Sequence, residues 1–185
     1  MYRVVISIGC FTIKEVERMD LVQDKIILIF YDPHPEVCKR FKIAFKDNPN
    51  VHVIQQAVSN WNGFTDFYLA GQSSSFTKIE NAEKIKIKVR TLASVVKSAE
   101  AQYGLDSPKF LFMNCEGEEV PIIQHNSIEQ FCKFKKMYIE FHPKLYAEEI
   151  FQNCVDKLAE SFNVMKKYGS HSKYPQFTFV LKKGR

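Results

Sequence analysis

The sequence predicts a three-layer α/β sandwich: a mostly parallel sheet covered by helices on both faces. Three observations carry that expectation. Short β-branched runs alternate with helix-length amphipathic segments, Ile26 to Tyr31 is almost wholly apolar, as in a strand buried on both faces, and the last two apolar runs form a closing hairpin.

Val4 to Ile8 reads as the first strand, stopped by Gly9, and Lys14 to Val22 then has apolar residues at helical spacing. The strand Ile26 to Tyr31 is ended by Asp32-Pro33-His34-Pro35 ahead of a helix over Glu36 to Phe45. Asn48-Pro49-Asn50 turns the chain into a third strand, Val51 to Ile54. Ala57 to Asn60 is either only a turn or a small-residue stretch with room for a ligand, and Trp61-Asn62-Gly63 is a turn before an antiparallel pair, Phe64 to Leu69 and Ile85 to Thr91, which carries a long Ser-rich loop. Leu92 to Tyr103 is a helix closed by Gly104, Phe110 to Met113 a buried strand, and Glu118 to Phe131 one helix or two pieces. Met137 to Phe141 is a strand, Leu145 to Ser161 a long helix, and Phe162 to Tyr168 pairs with Gln176 to Leu181. Strands alternating with helices require parallel pairing through crossovers, and the hairpin adds an antiparallel edge.

With 185 residues and no repeat or linker, the expectation is a single domain over 1–185. The 45% hydrophobic and 25% charged fractions are those of a water-soluble chain, and no apolar run approaches the ~20 residues of a membrane helix. The apolar start lacks the length and cleavage site of a signal peptide. Five cysteines without a Cys-x-x-Cys pair fit reduced, buried thiols in a cytoplasmic setting. Net charge of +5 permits phosphate-rich partners but does not demonstrate them. Lys86, Lys88 and Arg90 alternate with Ile85, Ile87 and Val89, so a half-exposed strand explains these cations without a nucleic-acid groove. The aromatic residues Phe64, Phe67 and Tyr68 read as core and sheet packing in preference to a base-stacking platform.

In open α/β sheets, ligands sit outside the carboxyl ends of the strands. Gly9 ends the first strand, where a glycine either makes an ordinary turn or lets a ligand approach the backbone; the full Gly-x-Gly-x-x-Gly fingerprint is missing. Asp32 falls 23 residues beyond Gly9, at the second strand's end. It either accepts hydrogen bonds from both hydroxyls of an adenosine ribose or caps the following helix. Ala57 and Val58 follow the third strand, where a small residue leaves room for a flat ring. Phe110 to Met113 runs into Asn114-Cys115-Glu116-Gly117-Glu118-Glu119, a turn dense in carboxylates. His34 and Cys38 have i,i+4 spacing, but no second pair completes a metal site, and a Gly-x-Ser-x-Gly elbow for hydrolysis is absent.

Four of these blocks, in order, give the chain a family likeness. Ser7-Ile8-Gly9-Cys10-Phe11 is similar in place to an Asp-x-Gly-Ala-Asn block, and Tyr31-Asp32-Pro33-His34-Pro35 to Phe-Glu-Pro-x-Pro. Ala57 to Gly63 resembles Ala-Val-Ser-x-x-x-Gly, and Asn114 to Glu119 resembles Asp-x-Glu-Gly-x-Glu. The chain thus resembles the FkbM-like methyltransferases, which use S-adenosylmethionine to methylate hydroxyl groups, often on sugars or natural products. Ser73-Ser74-Ser75, Val89 to Leu92 and Ile139 to His142 also look familial. Ser7 and Asn114 stand where the family has Asp, and Phe11 where it has Asn.

The resemblance implies a Rossmann-like methyltransferase sandwich with a seven-stranded sheet and the cofactor S-adenosyl-L-methionine over the first three strand ends. Carried onto this sequence, cofactor contacts fall to Ser7, Gly9, Cys10, Phe11, Asp32, Pro33, His34, Ala57, Val58, Ser75 and Asn114. It implies an O-methyltransferase acting on a sugar or glycan hydroxyl, without a metal because Asn114 brings no charge, alone or within a larger glycan-processing polypeptide. Removal of the hydroxyl proton needs a base. His142 and Glu116 are the candidates, with Glu119 and Glu140 orienting base or substrate; a capping or surface histidine is the plain alternative for His142. Two rival functions are a cofactor-degenerate binding protein, suggested by Ser7, Phe11 and Asn114, and a nucleic-acid methyltransferase.

Overall fold

The computed structural model describes residues 3–9, 12–18, 25–70, 74, 76–104, 109–142, 146–168 and 174–183. Its first half contains β1 (Arg3–Ile8), α1 (Ile13–Arg18), β2 (Ile26–Tyr31), α2 (Pro35–Ala44), β3 (Val51–Ile54), β4 (Ala57–Ser59), β5 (Gly63–Leu69) and β6 (Glu83–Thr91). The second half has α3 (Leu92–Tyr103), β7 (Lys109–Met113), α4 (Glu119–His125), α5 (Ile128–Phe131), β8 (Phe134–Glu140), α6 (Glu148–Ala159), β9 (Phe162–Tyr168) and β10 (Pro175–Leu181). Seven strands form the main sheet in the order β3-β2-β1-β7-β8-β10-β9, parallel except for β10, which runs antiparallel to both β8 and β9.

Successive side chains of a strand point to opposite faces, and here both faces are buried. Val4, Ile6 and Ile8 of β1 join Ile27 and Ile29 of β2 in one apolar cluster with Leu92, Val95 and Val96 of α3 and Phe151 of α6. Val5, Ile26, Leu28 and Phe30 join Val16 of α1 and Val37 and Phe41 of α2 in the other. That division is the three-layer sandwich expected from the alternation of strands and helices. Among the described residues no helix is long and apolar enough to cross a membrane.

The expected antiparallel pair is part of a separate three-stranded sheet, β4-β6-β5, in which β4 runs parallel to β6. Ala57 to Ser59, for which a turn is one of two sequence readings, is therefore a strand. Three residues are too short for a period-two signal, and their partners Val89 to Thr91 lie far along the chain. The packing expectation for the aromatic residues divides with the pleat: Phe67 is buried, whereas Phe64, three residues earlier and on the other face, is 65% exposed. Glu118 to Phe131 resolves into two short helices, α4 and α5.

Candidate active site

A cavity of about 630 Å³ opens at the carboxyl ends of β1, β2 and β7, and the small sheet supplies its far wall. Gly9, Asp32, Pro33, His34, Ala57, Val58, Asn114 and Glu116, all singled out from the sequence, line it together. Glu118, Arg40, Phe67 and Phe76 line it too.

Gly9 sets how close the strand tips come. Its amide donates to the Tyr31 carbonyl at 2.9 Å, while the Asn114 amide donates to the Ile8 carbonyl at 2.9 Å. Its φ is +81°, a conformation that glycine adopts without the cost a Cβ imposes. A Cβ at this position would sit 1.8 Å from the Asn114 carbonyl oxygen. Bare backbone is thus a structural requirement where β1 meets β7.

At the β2 tip the two sequence alternatives for Asp32 separate. The α2 cap is His34, whose Nδ1 accepts from the Glu36 amide at 3.2 Å, with Pro35 in the first turn. Asp32 is 3% exposed, and its Oδ1 accepts from the His34 amide at 2.7 Å in an Asx-type turn. The buried Cys38 thiol donates to the Asp32 carbonyl at 3.2 Å. Burial, with the Asp32 charge reinforcing it, pushes the Cys38 pKa up to about 12.

The acidic turn after β7 is organised by Glu119. Its buried carboxylate accepts from the Cys115 amide (Oε1, 2.7 Å) and the Gly117 amide (Oε2, 2.9 Å). His142 Nδ1 lies 3.0 Å from Glu119 Oε1, and because an ionised carboxylate only accepts, Nδ1 carries the proton. The other ring nitrogen, Nε2, lies 3.5 Å from Glu116 Oε1. Glu116 has φ +52° and a half-exposed side chain on the cavity wall. The Tyr146 hydroxyl donates to the Gly117 carbonyl, and the Ser59 hydroxyl donates to Glu118 Oε2, tying β4 to the start of α4.

Burial raises the pKa of Glu116; His142 opposes the rise, and Glu119 and Glu140 add to it. Burial likewise raises Glu118, against the Ser59 hydrogen bond. For His142, burial works against the charged ring, but the Glu119 hydrogen bond and the charges of Glu119, Glu116 and Glu140 outweigh it, so the net shift is upward.

The sequence-selected residues do not all share the wall. His142, Glu119 and Glu140 stand behind Glu116 and outside the residues that line the cavity. His142 is 3% exposed and the α6 cap is Ala147, so this histidine is neither a surface nor a capping residue. Its ring lies 4.5 Å from Tyr174, and Glu140 accepts from Gln176 Nε2 at 2.7 Å. Ser7 is buried within β1, and among the described residues its hydroxyl has no hydrogen-bond partner. Cys10, Phe11 and Ser75 lie outside the described residues.

Several wall residues escape a sequence reading. Phe67 and Phe76, 5.9 Å apart and edge to face, arrive with the small sheet, whose packing no local pattern announces. Arg40 had a usable signal, since it follows Val37 at i+3 on α2 and so shares a helix face with another wall residue.

A family model described as the methyltransferase FkbM domain matches residues 11–172, most of the chain. The chain belongs to the FkbM methyltransferase family. Solved structures share its fold. The FkbM methyltransferase of Methylobacillus flagellatus KT superposes with a TM-score of 0.61 at 10% identity, over 97% of this chain and 43% of that one. The fibrillarin pre-rRNA processing protein of Methanococcus jannaschii superposes with a TM-score of 0.57 at 11% identity, over 97% and 66% respectively. This FkbM domain therefore spans less than two thirds of either structure's length. At such identities the likeness establishes the methyltransferase fold alone. No curated protein matches the sequence significantly.

Proposed function

We propose that the protein is a single-domain S-adenosylmethionine-dependent O-methyltransferase whose acceptor is a sugar or glycan hydroxyl. One observation carries this reading: Gly9, Asp32 and Asn114, just past the ends of β1, β2 and β7, and Ala57, which opens β4, line the same hollow as Glu116. The residues fit the cofactor. A volume near 630 Å³ is in the ~300–1,000 Å³ range of small-molecule sites. The tight junction of β1 and β7 sets the Gly9 backbone on the cavity wall, and Asp32 brings a buried carboxylate to the β2 tip for a pair of ribose hydroxyls. Ala57 and Val58 supply a small apolar surface for a flat base.

S-adenosylmethionine supplies an electrophilic methyl group carried on a sulfonium. Glu116 is a half-exposed carboxylate on the cavity wall, and it receives the acceptor's proton at the oxygen that does not face His142. Its raised pKa brings its basicity toward neutral pH, where proton capture is more effective. His142 does not touch the cavity; it holds Glu116 from behind through Nε2 and is itself oriented by Glu119 at Nδ1. The polar wall of Glu116, Glu118 and Asn114 presents acceptors for several hydroxyls, which favours a polyol over an apolar alcohol.

Calorimetric titration with S-adenosylmethionine and S-adenosylhomocysteine tests the cofactor reading. Micromolar binding that Asp32→Ala abolishes is expected; no binding to well-folded protein would overturn it in favour of a cofactor-free binding protein. Transfer of labelled methyl groups onto a saccharide panel tests the acceptor class, and methylation of RNA but no saccharide would reject it.

A further inference from the structure

We propose a second ligand site, for a small phosphate ester, in the groove along the outer edge of β3. The groove is about 640 Å³, as large as the first cavity, and lies between the C-terminal half of α2 and one face of α3. Among the described residues its charged lining consists of Lys42, Lys46 and Arg90, joined by His52, with no Asp or Glu, although 21 of the 185 residues are acidic. A cleft of one sign with low-dielectric walls concentrates the opposite charge.

A solvated surface accounts for Lys42 and Lys46, which are exposed, but not for Arg90. Arg90 Nε donates to Ser94 Oγ at 3.2 Å, and one terminal nitrogen donates to the Ser94 carbonyl at 2.7 Å and Ser98 Oγ at 2.8 Å. The Tyr31 hydroxyl is its fourth partner, and Arg90 partly offsets the burial that raises the Tyr31 pKa. All four partners are neutral, and among the described residues no carboxylate lies within 4 Å of Arg90 or Lys42. The guanidinium is therefore fixed in place with its charge uncompensated and one of its five N–H donors left over, a pre-positioned cation for a phosphate oxygen. Lys46 has an ion pair with Asp47 at 3.9 Å, but both side chains are over two-thirds exposed and screened by water. Beside the cations, the His52 and Tyr103 rings lie 6.0 Å apart and offer a surface for an organic body.

Tyr31 and Phe41 line both hollows, so a test must separate them. Uridine monophosphate is a suitable probe, a phosphate ester with a planar body and no purine. Titrating it into the full chain by calorimetry should show binding that weakens about tenfold or more in Arg90→Met and in the double variant Lys42→Met/Lys46→Met, as loss of charge-assisted bonds requires. Asp32→Ala should leave that binding unchanged. The double variant alters only exposed positions of α2 and its exit, so it keeps the test valid if Arg90→Met fails to fold. No binding to the folded protein, binding that survives the double variant, or binding lost in Asp32→Ala would each overturn the site. The last outcome would move the ligand to the first cavity and leave the methyltransferase reading standing.

Discussion

Replacing Gly9 with alanine should damage both the fold and the cavity. The new Cβ would lie 1.8 Å from the Asn114 carbonyl oxygen and 2.7 Å from its carbon, both backbone atoms without a rotamer to swing away. Relief to an ordinary contact requires the β1 and β7 tips to part by more than 1 Å on the order of a van der Waals radius. That motion strains the Gly9-to-Tyr31 and Asn114-to-Ile8 hydrogen bonds, each 2.9 Å long. Two weakened hydrogen bonds at about 1 kcal/mol each, plus about 1–2 kcal/mol for a side chain at φ +81°, total about 3–4 kcal/mol. For a chain of this size each kcal/mol shifts Tm by about 2–4 °C, so a drop of about 10 °C is expected by scanning calorimetry. Titration with S-adenosylhomocysteine should show the accompanying loss of affinity. Gly63→Ala is the control for the clash: it too puts a Cβ at positive φ, +154°, but that Cβ meets the edge of the partly exposed Trp61 ring, which can move. If Gly9→Ala stayed within about 1 kcal/mol of the parent and bound the ligand normally, the close junction of β1 and β7 would not be what shapes the cavity.

Glu116→Gln should retain S-adenosylhomocysteine binding while slowing methyl transfer by about two orders of magnitude, measured as initial rates; an unchanged rate would remove Glu116 as the proton acceptor. Glu119→Gln puts an amide N–H₂ among N–H donors and should cost about 3 kcal/mol in urea unfolding, whereas a loss below about 1 kcal/mol would mean that the turn is held by other contacts. The pH dependence of stability has a definite sign. His142 titrates above its ordinary 6.5 in the folded state, so its contribution is complete below 6.5 and lost as pH rises through the folded value. Glu116 and Glu118 act in the same direction from 4.5 upward, because burial favours their protonated forms. Denaturant unfolding at several pH values should therefore show stability declining above 6.5, with a flatter upper limb in His142→Gln; equal slopes would contradict the Glu119–His142 pairing.

Much of the architecture was legible because main-sheet strands are long enough to display burial. Ile26 to Tyr31 is buried at every position, and Val4 to Ile8 divides its side chains between two clusters, as a doubly covered strand should. Strand tips are also local features, so Gly9, Asp32 and Asn114 could be placed at one edge by topology alone. Depth was not legible. His142 and Glu116 sit at neighbouring strand ends and look equivalent in sequence, yet one is 3% exposed and the other forms the cavity wall. That difference comes from Glu119, whose carboxylate faces inward from α4 and draws the imidazole under the turn. The small sheet was only half visible because β4 owes its existence to β6, a pairing between segments about 30 residues apart in an arrangement that three residues cannot signal.

The partners that pin residues 115–117 arrive late in the chain. Cys115 and Gly117 are held through Glu119, but His142 and Tyr146 lie beyond β8, 23 and 29 positions past the groups they bind. In chain order β1, β2 and β7 precede both residues, so the strands that border the hollow come before the groups that pin its acidic lip. A chain that stopped at residue 140 would thus keep the strands that border the hollow and lose both late partners of its acidic lip.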